Sequence, residues 1–211
     1  MDTKLAVRSL NYSYLNGPTI SFPDIDLIKG DHLLILGNSG VGKTTLLHLI
    51  AGLLVPTSGT VTVNTEIISL LSEHKRDRFR AVNMGLVFQS SHLVQSLTLM
   101  EHLFMIQSLA GKKIDKKKCY QVLDRLGLKE LANRKPHQLS QGQRQRASLS
   151  FAVINDPFLM LVDEPTSNLD DDSSTQVIDL LKETSQQAGS SLIVITHDQR
   201  IKSEFPKSIT L

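Results

Sequence analysis

The sequence predicts an α/β fold with a mostly parallel sheet, and three observations support this prediction. A short apolar run ends at a glycine-rich loop near residue 37, and two later apolar runs, 158–162 and 192–195, end at polar residues. A helical segment, 177–188, lies between the two later runs. Apolar runs that alternate with helices are typical of parallel sheets, whose ligands bind at the carboxyl ends of the strands. We therefore expect the functional residues to follow these three runs.

The first part of the chain, residues 4–63, is predicted to be rich in strands. Residues 5–7 and 60–63 have strand composition, and a turn containing Pro and Gly, 56–59, precedes the second of them. Residues 33–36 are the apolar run before the glycine-rich loop, and this composition suits a buried strand.

The motif G-x-x-x-x-G-K-[ST] occupies residues 37–44, before a segment of helical composition, 44–51, that Gly52 is placed to end. Its glycines let the backbone curl so that N–H groups point at phosphate oxygens, and the helix start adds a positive dipole. A chance match in a glycine-containing turn is the alternative, and it should arise on the order of once per hundred chains of this length. The flanking strand and helix favour nucleotide binding.

Each residue of this phosphate loop has an expected role toward ATP and Mg²⁺. Lys43 is expected to reach the β- and γ-phosphates, and the Thr44 hydroxyl is expected to bind Mg²⁺. The residues assigned to nucleotide binding here are Gly37, Asn38, Ser39, Gly40, Val41, Gly42, Lys43, Thr44 and Thr45.

The middle of the chain, residues 97–155, is predicted to be helical and is richer in charge. Residues 115–126 carry apolar side chains near helical spacing, and Gly127 is placed to end this helix. The lysines between 112 and 118 form the densest basic cluster. We interpret them as a solvated helix face, with docking to anionic lipid as the less favoured alternative.

Acidic and histidine side chains follow the two later strands. Asp163 and Glu164 come directly after 158–162, where one carboxylate can hold Mg²⁺ and the other can orient and deprotonate a water molecule. His197 comes just after 192–195, where it can contact the γ-phosphate and that water. Taken alone, the two acids fit an ordinary turn and the histidine fits a surface position. The phosphate loop upstream favours the catalytic interpretation.

Length and composition exclude several classes of protein. The 211 residues suit one domain, and the net charge of +2 is too small to indicate nucleic-acid binding by itself. The single cysteine, Cys119, excludes an intrachain disulfide framework and fits a reducing compartment. No apolar run approaches the ~20 residues that cross a bilayer, and the N-terminus opens no signal peptide. We expect a cytoplasmic protein whose work at a membrane needs a spanning partner.

These motifs, in this order and spacing, resemble the nucleotide-binding subunits of ABC (ATP-binding cassette) transporters, and the resemblance covers essentially the whole chain. It implies that Tyr14 stacks on adenine, and that Gln89 touches Mg²⁺ and water and links to the membrane partner. It implies that segment 167–170, including Asp170, communicates across a dimer at the nucleotide, and that His197 is the switch histidine. The implied fold is that of a P-loop ABC ATPase, with a parallel core, an antiparallel β region and a helical subdomain.

Residues 139–143, Leu-Ser-Gln-Gly-Gln, resemble the signature sequence of this family. Ser140 suits a helix N-cap before the helix-like stretch 141–154, and its hydroxyl, the Gly142 amide and the helix dipole can face a γ-phosphate. In this family that phosphate belongs to the opposite subunit, so two chains close head-to-tail around two ATP molecules. Ser140, Gly142 and Gln143 are therefore assigned to ATP, with a simple N-cap as the alternative.

Finer features resemble one group within the family, the bacterial lipoprotein-releasing, macrolide-export and cell-division ATPases. These features are the segments 67–72, 76–80, 85–89 and 91–93 and the asparagine form of 167–170. The group drives membrane subunits that transmit motion in order to extract lipids or peptides. The implied partners are permease subunits and a second copy or similar chain, at the cytoplasmic face of the inner membrane, without direct nucleic-acid binding.

Two departures from the family pattern concern the signature helix. Gln141 replaces the usual glycine, and its side chain is expected to narrow the approach to the partner's ATP. Ser150 and Phe151 stand where the family usually has Ala-Arg, so one polar anchor of the helix is expected to be missing. The lysine of the phosphate loop and the catalytic acids are unchanged, so we expect hydrolysis to survive.

Two alternative functions belong to other classes. A soluble ABC ATPase that acts on nucleic acid or ribosomes is disfavoured, because the chain has one cassette, no heptad run and one cysteine. A module that uses ATP only to dimerise is disfavoured by the intact Glu164 and His197. The expected function is therefore an ATP-hydrolysing transporter subunit, and the transported substrate is set by the membrane partner.

The expected organisation is one domain over residues 1–211, with an ATPase core of about 1–89 and 156–211 and a helical subdomain of about 90–155. A groove around residues 89–105 is expected to receive a coupling helix of the membrane subunit. The side chains proposed to help line it are Phe88, Leu93, Leu97 and Leu99. For any one of them, simple core packing is the favoured interpretation.

Overall fold

The computed structural model describes residues 3–15, 17–89, 93–167 and 169–211. The strands are β1 (Thr3–Ser13), β2 (Thr19–Ser21), β3 (Ile25–Ile28), β4 (His32–Leu36), β5 (Ser58–Val63), β6 (Glu66–Ile67), β7 (Met84–Val87), β8 (Leu159–Asp163), β9 (Ser191–Thr196) and β10 (Lys207–Thr210). The helices are α1 (Lys43–Ile50), α2 (Glu73–Asn83), α3 (Leu99–Leu109), α4 (Lys116–Arg125), α5 (Gln141–Val153) and α6 (Asp171–Ala188). Short 3₁₀ helices cover Ile68–Leu70, Lys129–Leu131, Pro136–Gln138 and Gln199–Glu204.

A parallel sheet forms the centre of the fold, as the sequence predicts. Its strand order is β10-β4-β9-β8-β7, and every neighbouring pair runs parallel. In this register Leu36 pairs with Thr196, and Asp163 pairs with Ile195. The ends of β4, β8 and β9 therefore meet at one edge of the sheet, which is where ligands bind in such folds.

A second, antiparallel sheet lies beside the phosphate loop. Its order is β2-β1-β5-β6, and β3 also pairs with β1. Ile20 of β2 approaches the loop closely, since a Cβ atom added at Gly42 would lie 3.2 Å from its Cγ2 atom. The antiparallel region therefore supports the loop from one side.

The central strands of the parallel sheet, such as β8 and β9, bury both of their faces. On β8, Met160 and Val162 join a cluster that includes residues of α3, α4, α5 and α6. Leu159 and Leu161, which alternate with them, join a second cluster with α1 and the antiparallel sheet. Parallel sheets are typically covered on both faces. Here the packing on both faces holds in place the edge where β4, β8 and β9 end.

Two predicted helices are confirmed close to their expected ends. Segment 44–51 corresponds to α1 and segment 115–126 to α4. Gly52 and Gly127 follow these helices with φ angles of 66° and 64°, the left-handed conformation in which glycine commonly ends a helix.

The predicted helix 177–188 is too short, because α6 already begins at Asp171. The Asp170 carboxylate accepts a hydrogen bond from the Ser173 N–H at 2.8 Å and so caps the helix. The first six residues of α6 are all polar, so apolar periodicity does not reveal them.

Other parts of the fold differ from the sequence-based expectation. The sequence does not predict helix α2, because none of its residues is buried and it shows no apolar stripe. Leu99 is fully buried in the core at the start of α3, which agrees with the core packing favoured for this residue and not with a place in the groove. Helices α3, α4 and α5 lie within segment 90–155, whose status as a subdomain stays a prediction.

Across the described ranges, every helix falls short of the length and hydropathy needed to span a bilayer.

Candidate active site

The phosphate loop joins β4 to α1 and depends on glycine at two positions. Gly40 has a φ angle of 83°, and Gly42, the residue before α1, has a φ angle of 106°. Residues with a side chain rarely adopt either conformation. The loop thus has the backbone freedom that the sequence motif predicts for wrapping phosphate oxygens.

Lys43 begins α1 and folds its ammonium group back over the loop. Its side chain is 6% exposed, and Nζ donates hydrogen bonds to the carbonyl oxygens of Gly37 at 2.8 Å and Asn38 at 3.0 Å. Nζ also lies 3.7 Å from Glu164 Oε1. The ammonium therefore lies between the loop and the carboxylate after β8, where phosphate oxygens would be stronger acceptors than the two carbonyls.

Thr44 and Asp163 meet at the position predicted for Mg²⁺. Thr44 Oγ1 donates to Asp163 Oδ2 at 3.1 Å, while Oδ1 is buried with no hydrogen-bond partner among the described residues. Burial raises the pKa of Asp163, because it disfavours the charged carboxylate. A cation at Oδ1 would offset that cost, so these oxygen donors fit Mg²⁺. The described residues hold no cluster of three or more His, Cys, Asp or Glu suited to a metal.

Glu164 follows β8 in a left-handed backbone conformation, with a φ angle of 50°. Such a conformation costs a non-glycine residue on the order of 1–3 kcal/mol, and here the Glu164 N–H is fixed by a 2.8 Å bond to the Ile195 carbonyl. The carboxylate accepts a hydrogen bond from Thr196 Oγ1 at 2.9 Å and lies 2.9 Å from His197 Nδ1. The strained turn thus places this carboxylate between the end of β9 and Lys43.

His197 is half-exposed and uses only Nδ1 in its contact with Glu164. When Nδ1–H donates to an ionised Glu164, Nε2 of a neutral ring is an acceptor. Nε2 becomes a donor only in the imidazolium form. A direct bond from His197 to a γ-phosphate oxygen therefore requires either that form or a movement of the ring.

Tyr14 lies beside the phosphate loop, as the family resemblance implies. Its hydroxyl is 2.9 Å from Thr45 Oγ1, and its ring meets Tyr12 edge-on with centroids 4.8 Å apart. The ring is 49% exposed and lines an open cavity of about 320 Å³ together with Gly40 and Gly42. A half-exposed aromatic ring here is suited to stacking on a base, and that role stays a prediction.

Gln89 follows β7 and is exposed. It lines a cavity of about 340 Å³ together with Glu164 and Ser167. Gln141, the departure in the signature sequence, lines the same cavity. The structure thus brings Gln89 near Glu164, the residue expected to act on water, while the expected contact of Gln89 with Mg²⁺ stays a prediction.

The signature residues form a reciprocal cap at the start of α5. Ser140 Oγ accepts a hydrogen bond from the Gln143 N–H at 3.3 Å, and Gln143 Oε1 accepts one from the Ser140 N–H at 2.8 Å. A Cβ atom added at Gly142 would meet nothing within 4 Å, so the helix start is open there. In the described part of the chain, no hydrogen bond links this start to the phosphate loop. Its contact with ATP therefore stays a prediction.

Asp170 has a structural role that the sequence motif does not indicate. Its carboxylate caps α6, and the hydrogen bonds from Ser173 lower its pKa. Its expected contact with ATP stays a prediction. Asn168 of the same segment, and Ser91 and His92 of the group-specific features, lie outside the described residues.

Phe151 anchors the signature helix by an aromatic contact in place of the polar one that the family usually has. Its ring stacks on His102 of α3, with centroids 4.9 Å and planes 10° apart. His102 is buried, and its Nε2 accepts a hydrogen bond from the Val94 N–H at 3.0 Å. Helix α5 is thus tied to α3 and to the segment after Gln89.

Three polar residues around the end of β9 are not indicated by the sequence motifs. Thr196 Oγ1 donates to Glu164 and accepts a hydrogen bond from the Asp198 N–H at 3.0 Å. The Asp198 carboxylate in turn binds Arg200 and Thr166. The position of these residues, directly after an apolar run, is the feature of the sequence that points to them.

Comparisons with known proteins agree with this geometry. The family model described as ABC transporter matches residues 23–167. The chain is 36% identical over its full length to a lipoprotein-releasing system ATP-binding protein LolD of Legionella pneumophila (strain Lens), covering 95% of that protein. It is 38% identical to the LolD protein of Hydrogenovibrio crunogenus, covering all of this chain and 94% of that protein.

Solved structures are similar as well. The dimeric structure of MJ0796, a bacterial ABC transporter cassette, aligns with a TM-score of 0.84 and 28% identity, covering 98% of this chain and 94% of that one. The post-hydrolysis state of the same cassette, bound to ADP and Pi, aligns equally well.

Proposed function

The chain belongs to the ABC transporter family, and from this premise we propose that it is the ATPase subunit of a lipoprotein-releasing transporter. The observation that carries the proposal is the match of the whole chain, at 36% identity, to ATP-binding proteins named for that system. The proposed substrate class is taken from these relatives, because the site residues described for this chain are suited to binding the nucleotide and do not identify a transported substrate.

The nucleotide binds with its phosphates over the loop. Lys43 exchanges the carbonyl oxygens that it now contacts for oxygens of the β- and γ-phosphates. Tyr14 offers its exposed ring to the base. Thr44 and Asp163 would hold Mg²⁺, which when bound neutralises charge on the phosphate oxygens.

Hydrolysis uses the carboxylate of Glu164. Held by Thr196 and His197, it orients a water molecule and accepts a proton as the water oxygen attacks the γ-phosphorus. The bond from the γ-phosphorus to the bridging oxygen breaks, and ADP and phosphate leave. Gln89 lines the same cavity as Glu164 and can position that water.

A second copy completes each site in this proposal. The Ser140 hydroxyl and the Gly142 N–H, at the start of α5, face the γ-phosphate bound by the partner subunit. The capping geometry leaves the Ser140 hydroxyl proton and the early N–H groups of the helix available for this role. Hydrolysis removes the shared phosphate and so releases the closed dimer.

The membrane subunit docks, in this proposal, at the cytoplasmic face of the membrane, in a groove between α2, α3 and α5. None of the described residues that line this groove lies within 89–105, the segment where it is expected from the sequence. The groove has a volume of about 500 Å³, and Ile106, Leu109 and Phe151 are among the apolar residues that line it. Asn155 also lines it, and its buried Oδ1 atom has no hydrogen-bond partner among the described residues. The groove is also lined by charged residues of α2, among them Asp77, Arg78 and Arg80. Apolar and charged sides together with one unsatisfied acceptor suit an amphipathic helix that offers a donor.

Co-purification tests the partner. A tagged chain, isolated from gently solubilised membranes of its native host, is expected to retain a membrane protein with few spans and a large extracytoplasmic domain. Mg²⁺-dependent phosphate release by this complex is expected to be lost in a Lys43→Ala variant. Recovery of ribosomes or nucleic acid without any membrane protein would contradict the transporter assignment.

A further inference from the structure

The guanidinium group of Arg200 joins two loops of the active site. Its Nε and Nη2 atoms donate to the two carboxylate oxygens of Asp198, both at 2.8 Å. Nη2 also donates to the Leu169 carbonyl at 3.3 Å, and Nη1 donates to the carboxylate of Asp171. Most of the N–H groups of the side chain are therefore engaged, in a fork that only arginine provides.

The hydrogen bonds of Asp198 complete the link between the loop after β8 and the loop that carries His197. Its Oδ2 atom accepts a hydrogen bond from Thr166 Oγ1 at 2.9 Å in addition to the one from Arg200. The loop after β8 is thus hydrogen-bonded to Asp198 through Thr166, near the start of the loop. Near its end, Leu169 and Asp171 accept hydrogen bonds from Arg200. All of these bonds are made to residues 198–200, directly after His197.

The same network reaches the catalytic carboxylate. The Asp198 N–H donates to Thr196 Oγ1 at 3.0 Å, and Thr196 Oγ1 donates to Glu164 Oε2 at 2.9 Å. On the other side of the loop, Ser167 Oγ donates to the Glu164 carbonyl at 3.0 Å. Displacing the loop after β8 would therefore disturb Glu164 through two separate hydrogen-bonded routes.

We propose that Arg200 is a positioning residue for ATP hydrolysis, which makes the loop after β8 and the loop carrying His197 move as one unit. Isolated ion pairs on a protein surface contribute little to stability. The two-pronged bond to Asp198 and the shared contacts with Leu169 and Asp171 distinguish this group from such a pair. The inference rests on the proposed function, in which segment 167–170 lies at the second copy, so that Arg200 relays contact with that copy to Glu164 and His197.

The test compares Arg200→Ala with Lys202→Ala in the complete transporter complex. Lys202 is exposed on the same 3₁₀ helix, and none of the hydrogen bonds or ion pairs described for this chain involves its side chain. Phosphate release against ATP concentration gives kcat and the Hill coefficient, and direct ATP titration gives Kd. For Arg200→Ala we expect kcat to fall about tenfold and the Hill coefficient to fall toward one, with Kd within about twofold of wild type. Lys202→Ala is expected to match wild type.

Other outcomes overturn the inference. A kcat for Arg200→Ala within twofold of the Lys202→Ala value, with the same Hill coefficient, would mean that the loops are positioned without Arg200. If Arg200→Ala does not fold, Asp171→Ala removes one contact of Arg200 only, and an unchanged kcat in that variant contradicts the inference. An inactive wild-type complex would overturn the proposed function itself, whereas an active wild type with an unaffected Arg200→Ala variant overturns only this inference.

Discussion

Among single residues, Glu164 gives the clearest prediction. In Glu164→Gln the side chain keeps its shape and still accepts the hydrogen bond from Thr196, but an amide does not take a proton from water. We expect phosphate release to fall by about 10²- to 10⁴-fold, with the Kd for ATP nearly unchanged. Glu183→Gln, at an exposed position of α6, is the matched control. An unchanged rate in Glu164→Gln would favour a module that uses ATP only to dimerise.

Asp198 gives a prediction about acid stability. Hydrogen bonds from Arg200 lower its pKa to about 2, against an ordinary value of 3.8. Because the folded pKa is the lower one, the ionised carboxylate stabilises the fold above pH 4, by about 2 kcal/mol, and this contribution is lost as the pH falls toward 2. Urea unfolding should therefore show a larger difference between wild type and Asp198→Asn at pH 7 than at pH 2.5. Asp172→Asn, at an exposed position of α6, serves as control. The same difference at both pH values would contradict the assignment.

At the scale of elements, helix α5 combines a structural cap with a proposed contact to the partner's ATP, and substitutions at Ser140 separate the two. Ser140→Ala removes the cap and should lower the free energy of unfolding by about 1 kcal/mol, whereas Ser140→Gly should cost only a few tenths. Both variants lose the hydroxyl, so both should lower kcat to a similar extent. Chemical denaturation and phosphate release measure the two effects. A fully active Ser140→Gly variant would show that the hydroxyl acts only as a cap.

The elements also show what the sequence can and cannot predict. Helices α1 and α4 follow from apolar spacing and a terminal glycine, and the strands before Gly37, Asp163 and His197 follow from their apolar runs. Helix α2 and the first turns of α6 give no such apolar pattern, because their residues are polar or unburied. The stacking of Phe151 on His102 cannot be predicted from the sequence either, because the two residues meet only after α3 and α5 pack together.

The same limit applies to the active site. The residue types at the strand ends indicate Lys43, Asp163, Glu164 and His197, because this chemistry needs a cation, carboxylates and a histidine around phosphate. The contacts of Arg200 with Leu169 and Asp171 depend on how two loops fold over each other. No spacing rule in the sequence describes that arrangement.

At the scale of the whole molecule, the fold brings one half of the proposed two-sided site to one edge of the sheet. The central strands of the parallel sheet, buried on both faces, align the ends of β4, β8 and β9, so that the phosphate loop, Glu164 and His197 lie at the same edge of the sheet. Among the described residues, no hydrogen bond links the capped start of α5 to the phosphate loop. The proposed mechanism assigns this helix start to the ATP of a second copy, so that ATP acts as the ligand that closes the pair.

The most direct test of the proposed function is a lipoprotein-release assay with the purified complex of this chain and its membrane subunit in lipid vesicles. A labelled lipoprotein is placed in the vesicles, and its ATP-dependent transfer to an external acceptor is measured together with phosphate release. We expect both activities in the wild type, and loss of both in the Glu164→Gln complex. Phosphate release without any transfer of lipoprotein would contradict the proposed substrate, and absence of Mg²⁺-dependent phosphate release would contradict the proposed chemistry of the whole site.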